Sequence, residues 1–399
     1  MKQVLLVEPI RPKSKSIPES SAKESRATVL PWLLLPSVRI LAGVALTYIG
    51  VHFVKQGPFG PVKTLSQGLM MWDAVWYRWV AMYGYYIGHT RVLFPGYPLV
   101  VHTLAYLVRN YTLSALLVSW VSLIFASFGI AQLSKTLGAS QKQQIIAVTS
   151  YLWFPVSAFL VAGYAESFFM AFLSWSLYFI ISKRWVLASI TSFWVVATRP
   201  EAVVLLLVFG IYMLANKQGL IKTGLATFTA CLSLIGYMIF LKIAYNKPLD
   251  FLHETTYWDI KETFPFYAEI ISIYRMATHT LTWPGHGSFF NAYSLYITDD
   301  LGAFVALGAS IYCLYRATKD KRWLVPGLYG ILSASIAYSF SPYGGVSPDA
   351  AARIAMSVPA IYLMISQIKP KIVASVIIVL FVVSACLWEI AFASGRWLT

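Results

Sequence analysis

From Trp32 onward the chain alternates long apolar runs with short polar breaks, and the spacing of those breaks sets the predicted elements. Apolar stretches at 32–54, 111–133, 143–162, 167–182, 185–199, 200–215, 220–245, 299–316, 323–340, 353–367 and 372–392 predict eleven helices. Several approach the ~20 residues that an α-helix needs to cross a bilayer. A segment in lipid must satisfy its own backbone hydrogen bonds, so recurring runs of this kind read as helices rather than strands. The fold class expected is an all-α polytopic membrane protein. One stretch departs from the rule. At 1.5 Å per residue, 93–108 rises only ~24 Å, against a hydrocarbon core of about 30 Å. It also carries Pro95, Gly96, Pro98 and His102, and reads as an interfacial helix in an outer loop at 55–110.

Composition supports this reading and charge orients it. Of 399 residues, 58% are hydrophobic and only 12% charged, about half the charged fraction of a soluble domain. The net charge of +15 would suggest nucleic acid in a soluble protein. Here the cations fall in alternate breaks: Lys135 and Lys142, Lys183 and Arg184, Lys217 and Lys222, Arg316 to Arg322, Lys369 and Lys371. Cytoplasmic loops collect such charge, so membrane lipids rather than nucleic acid are the expected partners. The amino terminus is placed inside and the carboxyl terminus outside. Residues 1–31, polar and holding Pro9, Pro12 and Pro18, are expected as a disordered cytoplasmic tail, and 32–399 as one transmembrane domain. Cys231, Cys313 and Cys386 lie in apolar runs, with no disulfide framework or zinc spacing.

Against that background the acids stand out. Between residues 26 and 249 the only carboxylates are Asp73, Glu166 and Glu201. An ionisable group near a bilayer is costly to keep, which makes each a candidate functional residue. The topology puts on the outer face the loop with Asp73, the turn Gly163-Tyr164-Ala165-Glu166, the junction Arg199-Pro200-Glu201, the segment 246–298 and the loop 341–353. Several predicted helices there are short for a span, as a cavity opening into the outer leaflet requires.

Three blocks carry a family resemblance. The first is Trp72-Asp73-Ala74-Val75-Trp76-Tyr77 with Gly84-Tyr85 and Phe94-Pro95-Gly96-Tyr97-Pro98. The second is Phe154-Pro155 with Gly163-Tyr164-Ala165-Glu166-Ser167, and the third is Ala197-Thr198-Arg199-Pro200. In order and spacing they resemble the PIG-V family of the GT-C class, polytopic glycosyltransferases that include mannosyltransferases of glycosylphosphatidylinositol synthesis. The chain departs from the family at Gly96, where Leu is usual, at Glu201-Ala202 after the Arg-Pro step, and at Arg353-Ile354 near the end.

The resemblance implies a polyprenyl-phosphate sugar donor, most simply of mannose, a lipid or glycolipid acceptor, and inversion at the anomeric carbon. Such chemistry needs a base for the acceptor hydroxyl and cations for the departing phosphate. Asp73 is the candidate base; the competing reading is a loop acid that caps a helix, with its aromatic neighbours forming an interfacial belt. Glu166 is the second catalytic candidate, orienting a hydroxyl, holding Arg199 or assisting Asp73. Arg199, Arg353, Arg91, His89 and His102 are candidates for the phosphate, the arginines for their bidentate fork. Trp72, Trp76, Tyr77 and Tyr164 are candidate substrate contacts. The segment 246–298, which mixes Asp250, Glu254, Asp259, Glu262 and Glu269 with Tyr257, Trp258 and Trp283, reads as an interfacial helix or lid. Asp299 and Asp300 read as acids at a helix start, where the dipole favours them. Neither a cofactor nor a metal is expected. The rival reading is a multi-span transporter or flippase with Glu166, Arg199 and Glu201 lining its path. The compact length favours a bacterial plasma membrane, with the site on the outer side.

Overall fold

A computed structural model of the protein describes residues 19–57, 61–253, 255, 257, 259–280, 292–342, 346–348, 350–369 and 371–396. Its principal helices are α1 (Glu19–Phe53), α2 (Asp73–Tyr83), α3 (Gly96–Val108), α4 (Tyr111–Thr136), α5 (Gln141–Leu152), α6 (Glu166–Ile181), α7 (Trp185–Val196) and α8 (Val204–Ala215). There follow α9 (Leu220–Tyr245), α10 (Tyr267–Ala277), α11 (Ala292–Ala317), α12 (Leu324–Ala337), α13 (Ala351–Met356), α14 (Ala360–Gln367) and α15 (Lys371–Ala393). Among the described residues the only sheet is one antiparallel pair, β1 (Lys261–Glu262) with β2 (Phe340–Ser341). The chain is an all-α polytopic membrane protein.

Among the described residues, five helices are long and apolar enough to cross a membrane: Val29–Phe53 within α1, α4, α9, Ser294–Ala317 within α11, and α15. The other six expected spans are shorter. α5, α7 and α8 have 12 residues each, α12 has 14 and α6 has 16. Twelve residues rise only ~18 Å. The stretch expected at 353–367 is divided into α13 and α14 around Ser357, Val358 and Pro359. Proline also explains the break after α5: Pro155 disfavours helix at Phe154, and the helix resumes as a single turn at Ala158–Val161. Helix α11 begins at Ala292 rather than near 299, so Asp299 and Asp300 sit inside it, not at its start. The first helix begins at Glu19, where tail was expected; residues 1–18 lie outside the described residues, as do Glu254, Trp258 and Trp283.

Burial separates the helices into two kinds. Helix α9 buries one narrow stripe (Ala230, Ser233, Tyr237, Leu241) and leaves Ile221 and Ile243 open, as suits a lipid-facing span. Helix α6 is buried on nearly every side, packed between α4 and α7. Helix α3 lies against α2 and α4. Its first residue, Gly96, donates its N–H to the Ala197 carbonyl at 2.7 Å. A side chain there would meet that carbonyl oxygen at 2.8 Å, so the residue by which this chain departs from the family lets α3 touch the backbone just before Arg199.

Candidate active site

Four segments far apart in sequence bring their charged residues to one place. Asp73 and Glu166 are each the first residue of their helix, α2 and α6, where the dipole favours a carboxylate. Arg199 stands between α7 and the 3-10 turn Pro200–Val203. Arg353 lies in the short helix α13. All four therefore occupy the ends or interruptions of helices.

The ion pairs form a chain. Asp73 Oδ2 accepts from Arg353 Nη1 at 2.7 Å. Arg353 Nε lies 3.3 Å from Glu166 Oε1, and the same oxygen accepts from Arg199 Nη2 at 2.7 Å. Arg199 Nη1 reaches Glu201 Oε1 at 3.7 Å and donates to Ser357 Oγ at 3.3 Å. Three carboxylates thus face two guanidinium groups. Exposure is lowest in the middle of the chain: the side chains of Asp73 and Arg353 are 21% and 22% accessible, Glu166 1%, Arg199 10% and Glu201 19%. Both ends are partly accessible, the Asp73–Arg353 end the more so.

Tyrosines and strained backbone support that end. The Asp73 backbone N–H donates to the Tyr164 hydroxyl at 3.1 Å, while Ser119 Oγ donates to the Tyr164 carbonyl at 2.9 Å. Tyr77 stacks edge-on against Tyr97 and Tyr164, with ring centroids 5.2 and 6.3 Å apart. Burial, reinforced by nearby negative charge (Glu166 for Tyr77, Asp73 for Tyr164), pushes both phenols above their ordinary range, so both stay neutral. The guanidinium of Arg353 lies over the rings of Phe159 and Tyr164 at 5.4 and 5.8 Å. Trp72, immediately before Asp73, has φ 53° and Ala350, just before α13, has φ 70°. Such conformations in residues other than glycine cost on the order of 1–3 kcal/mol each. Asp299 accepts the Ala352 N–H at 2.8 Å, capping the helix that holds Arg353.

The other candidates sit in different surroundings. Arg91 pairs with Asp250 and lies over the Tyr245 ring at 3.7 Å. His89 stacks on Tyr257 at 4.0 Å and meets Trp76 edge-on at 4.7 Å. His102 shares a 2.7 Å hydrogen bond with the Ala81 carbonyl. Among the described residues no group of three or more His, Cys, Asp or Glu is placed to hold a metal ion.

A second buried pair was not among the candidates. Arg39 in α1 donates to Glu389 in α15 at 2.6 Å and to the carbonyls of Leu152 and Ser157 at 2.9 Å each. The signal was available, since both are ionisable residues inside apolar spans.

Comparison with known proteins supplies relatives. The chain is 24% identical over 229 residues to GPI mannosyltransferase 2 of Schizosaccharomyces pombe, covering 55% of this chain and 49% of the relative. It is 33% identical over 118 residues to GPI alpha-1,6-mannosyltransferase 2 of Homo sapiens, covering 27% and 24%. For the Rattus norvegicus protein of that name the figures are 32% over 125 residues, 29% and 25%. The matches span about half the length of the first relative and about a quarter of the others. No protein-family model matches. Among solved structures, the apo Archaeoglobus fulgidus oligosaccharyltransferase aligns with TM-score 0.48 at 11% identity, over 92% of this chain and 56% of that one. The relatives agree with the PIG-V resemblance that the three sequence blocks carry.

Proposed function

We propose that this PIG-V-like membrane protein is a glycosyltransferase. It moves a sugar, mannose by analogy with the names of its relatives, from a polyprenyl-phosphate donor to a hydroxyl of a lipid or glycolipid acceptor at the outer membrane face. Asp73 takes the proton of the attacking hydroxyl. Arg353 and Arg199 stabilise the departing phosphate, and Glu166 holds both arginines in register. The hydroxyl attacks opposite the phosphate, so the anomeric centre inverts.

The observation that carries this reading is the convergence of Asp73, Glu166, Arg199 and Arg353 on one network whose most accessible members are Asp73 and Arg353. A base must be reachable, and the cation for the leaving group must lie within a few ångströms of the reacting sugar. The test is transfer from a labelled polyprenyl phosphomannose by purified protein. Wild type is expected to transfer, and Asp73→Asn to lose transfer while folding normally. Full activity of Asp73→Asn would refute the base assignment.

A further inference from the structure

Resting on that reading, the charge count of the network raises a physical question. Asp73, Glu166 and Glu201 already exceed the two arginines by one, so an incoming phosphate finds no unmatched positive charge in the network. Reaction moves the negative charge rather than removing it. The donor is a phosphodiester with one negative charge, and its leaving group is a phosphomonoester with close to two. As the bond from the anomeric carbon to the phosphate oxygen breaks, its electron pair stays on the phosphate. The acceptor oxygen forms the new bond to carbon, and its proton passes to Asp73, which becomes neutral. One unit of negative charge therefore disappears at Asp73 while one appears on the phosphate.

Arg353 is the group placed to follow that charge. It gives Nη1 to Asp73 at 2.7 Å, keeps Nε 3.3 Å from Glu166, and is the more accessible of the two arginines. Arg199 is held from three directions, by Glu166, Glu201 and Ser357, and is more deeply buried. We infer that Arg353 exchanges partners during turnover, leaving Asp73 for the leaving phosphate as Asp73 is protonated, while Glu166 keeps its hold. Before donor arrives, the same contact keeps the base occupied. Proton transfer and leaving-group departure are thereby coupled through one guanidinium.

The coupling is measurable without catalysis. Polyprenyl phosphate, the dianionic product, should bind Asp73→Asn more tightly than wild type, by roughly tenfold or more for a coupling of ordinary size. In an Arg353→Ala background the Asp73→Asn change should give no such gain. Titration of the four proteins in detergent with polyprenyl phosphate closes the cycle. Equal affinity of wild type and Asp73→Asn overturns the exchange, and so does a gain that persists without Arg353, which marks simple relief of charge repulsion. Loss of transfer in Asp73→Asn with unchanged product affinity rejects the exchange but leaves the base assignment standing; retained transfer rejects the base assignment itself.

Discussion

Among the buried ion-pair systems of the described residues, two differ sharply in construction. Arg39 and Glu389 form a closed pair: side chains 0% and 2% accessible, guanidinium also given to two backbone carbonyls at the break after α5. It fastens α1, α15 and the segment leading to the site. The Asp73 network instead shares one carboxylate oxygen between two arginines, stays partly accessible at its ends, and rests on strained backbone at Trp72 and Ala350. A pair meant only to hold helices together needs neither accessibility nor strain. The contrast teaches that burial of charge alone does not mark a working site; incomplete burial of a shared network does.

The largest effect expected from breaking this contrast is on activity. Asp73→Asn should lower the turnover of sugar transfer by about 10²–10⁴-fold, the usual worth of a positioned base, with the melting temperature close to wild type. Breaking the closed pair should do the reverse. Glu389→Ala leaves Arg39 uncompensated, at a cost of about 3–5 kcal/mol, read as a lower melting temperature in detergent while the Michaelis constant for donor in the surviving fraction stays the same. Arg199→Ala should weaken donor binding, measured by titration with polyprenyl phosphomannose; unchanged affinity would remove Arg199 from the phosphate role.

The smallest effect concerns Glu269, in the first turn of α10. Burial pushes its carboxyl up to about 7 from an ordinary 4.5. The folded state thus favours the protonated acid. Its stabilisation is fully present below about pH 4.5 and lost as pH rises through about 7. Glu269→Gln should flatten the fall in melting temperature between pH 5 and pH 8 by a few degrees. An identical slope in that variant would assign the pH dependence elsewhere.

Much of the site was legible because charge in an apolar background is conspicuous. Asp73, Glu166, Arg199 and Arg353 each interrupt a run of hydrophobic residues; the breaks near Glu166, Arg199 and Arg353 were read from the polar positions, whereas Asp73 was read as a loop residue and opens α2. Their pairing was not legible. Asp73 and Arg353 are 280 positions apart, and the packing of α2 against α3 and α4, of α6 against α4 and α7, and of α13 against α11 brings the charges together. Arg91 and His89 read as phosphate ligands from type and sidedness alone. Of their neighbours, Tyr245 ends α9, whereas Asp250 and Tyr257 come from a stretch whose pattern fixes no periodic element. Arg39 and Glu389 escaped because each is a single charge inside a run apolar enough to dominate its average.

The central claim is that the carboxylate at the more accessible end of the network removes a proton from a lipid hydroxyl as sugar leaves a polyprenyl phosphate. The most direct measurement is purified wild type and Asp73→Asn incubated side by side with radiolabelled polyprenyl phosphomannose and native lipid extract. The account predicts a labelled glycolipid with wild type and none with the variant, both proteins melting alike. Equal labelled product from the two, or none from wild type across the polyprenyl phosphosugars, would contradict it.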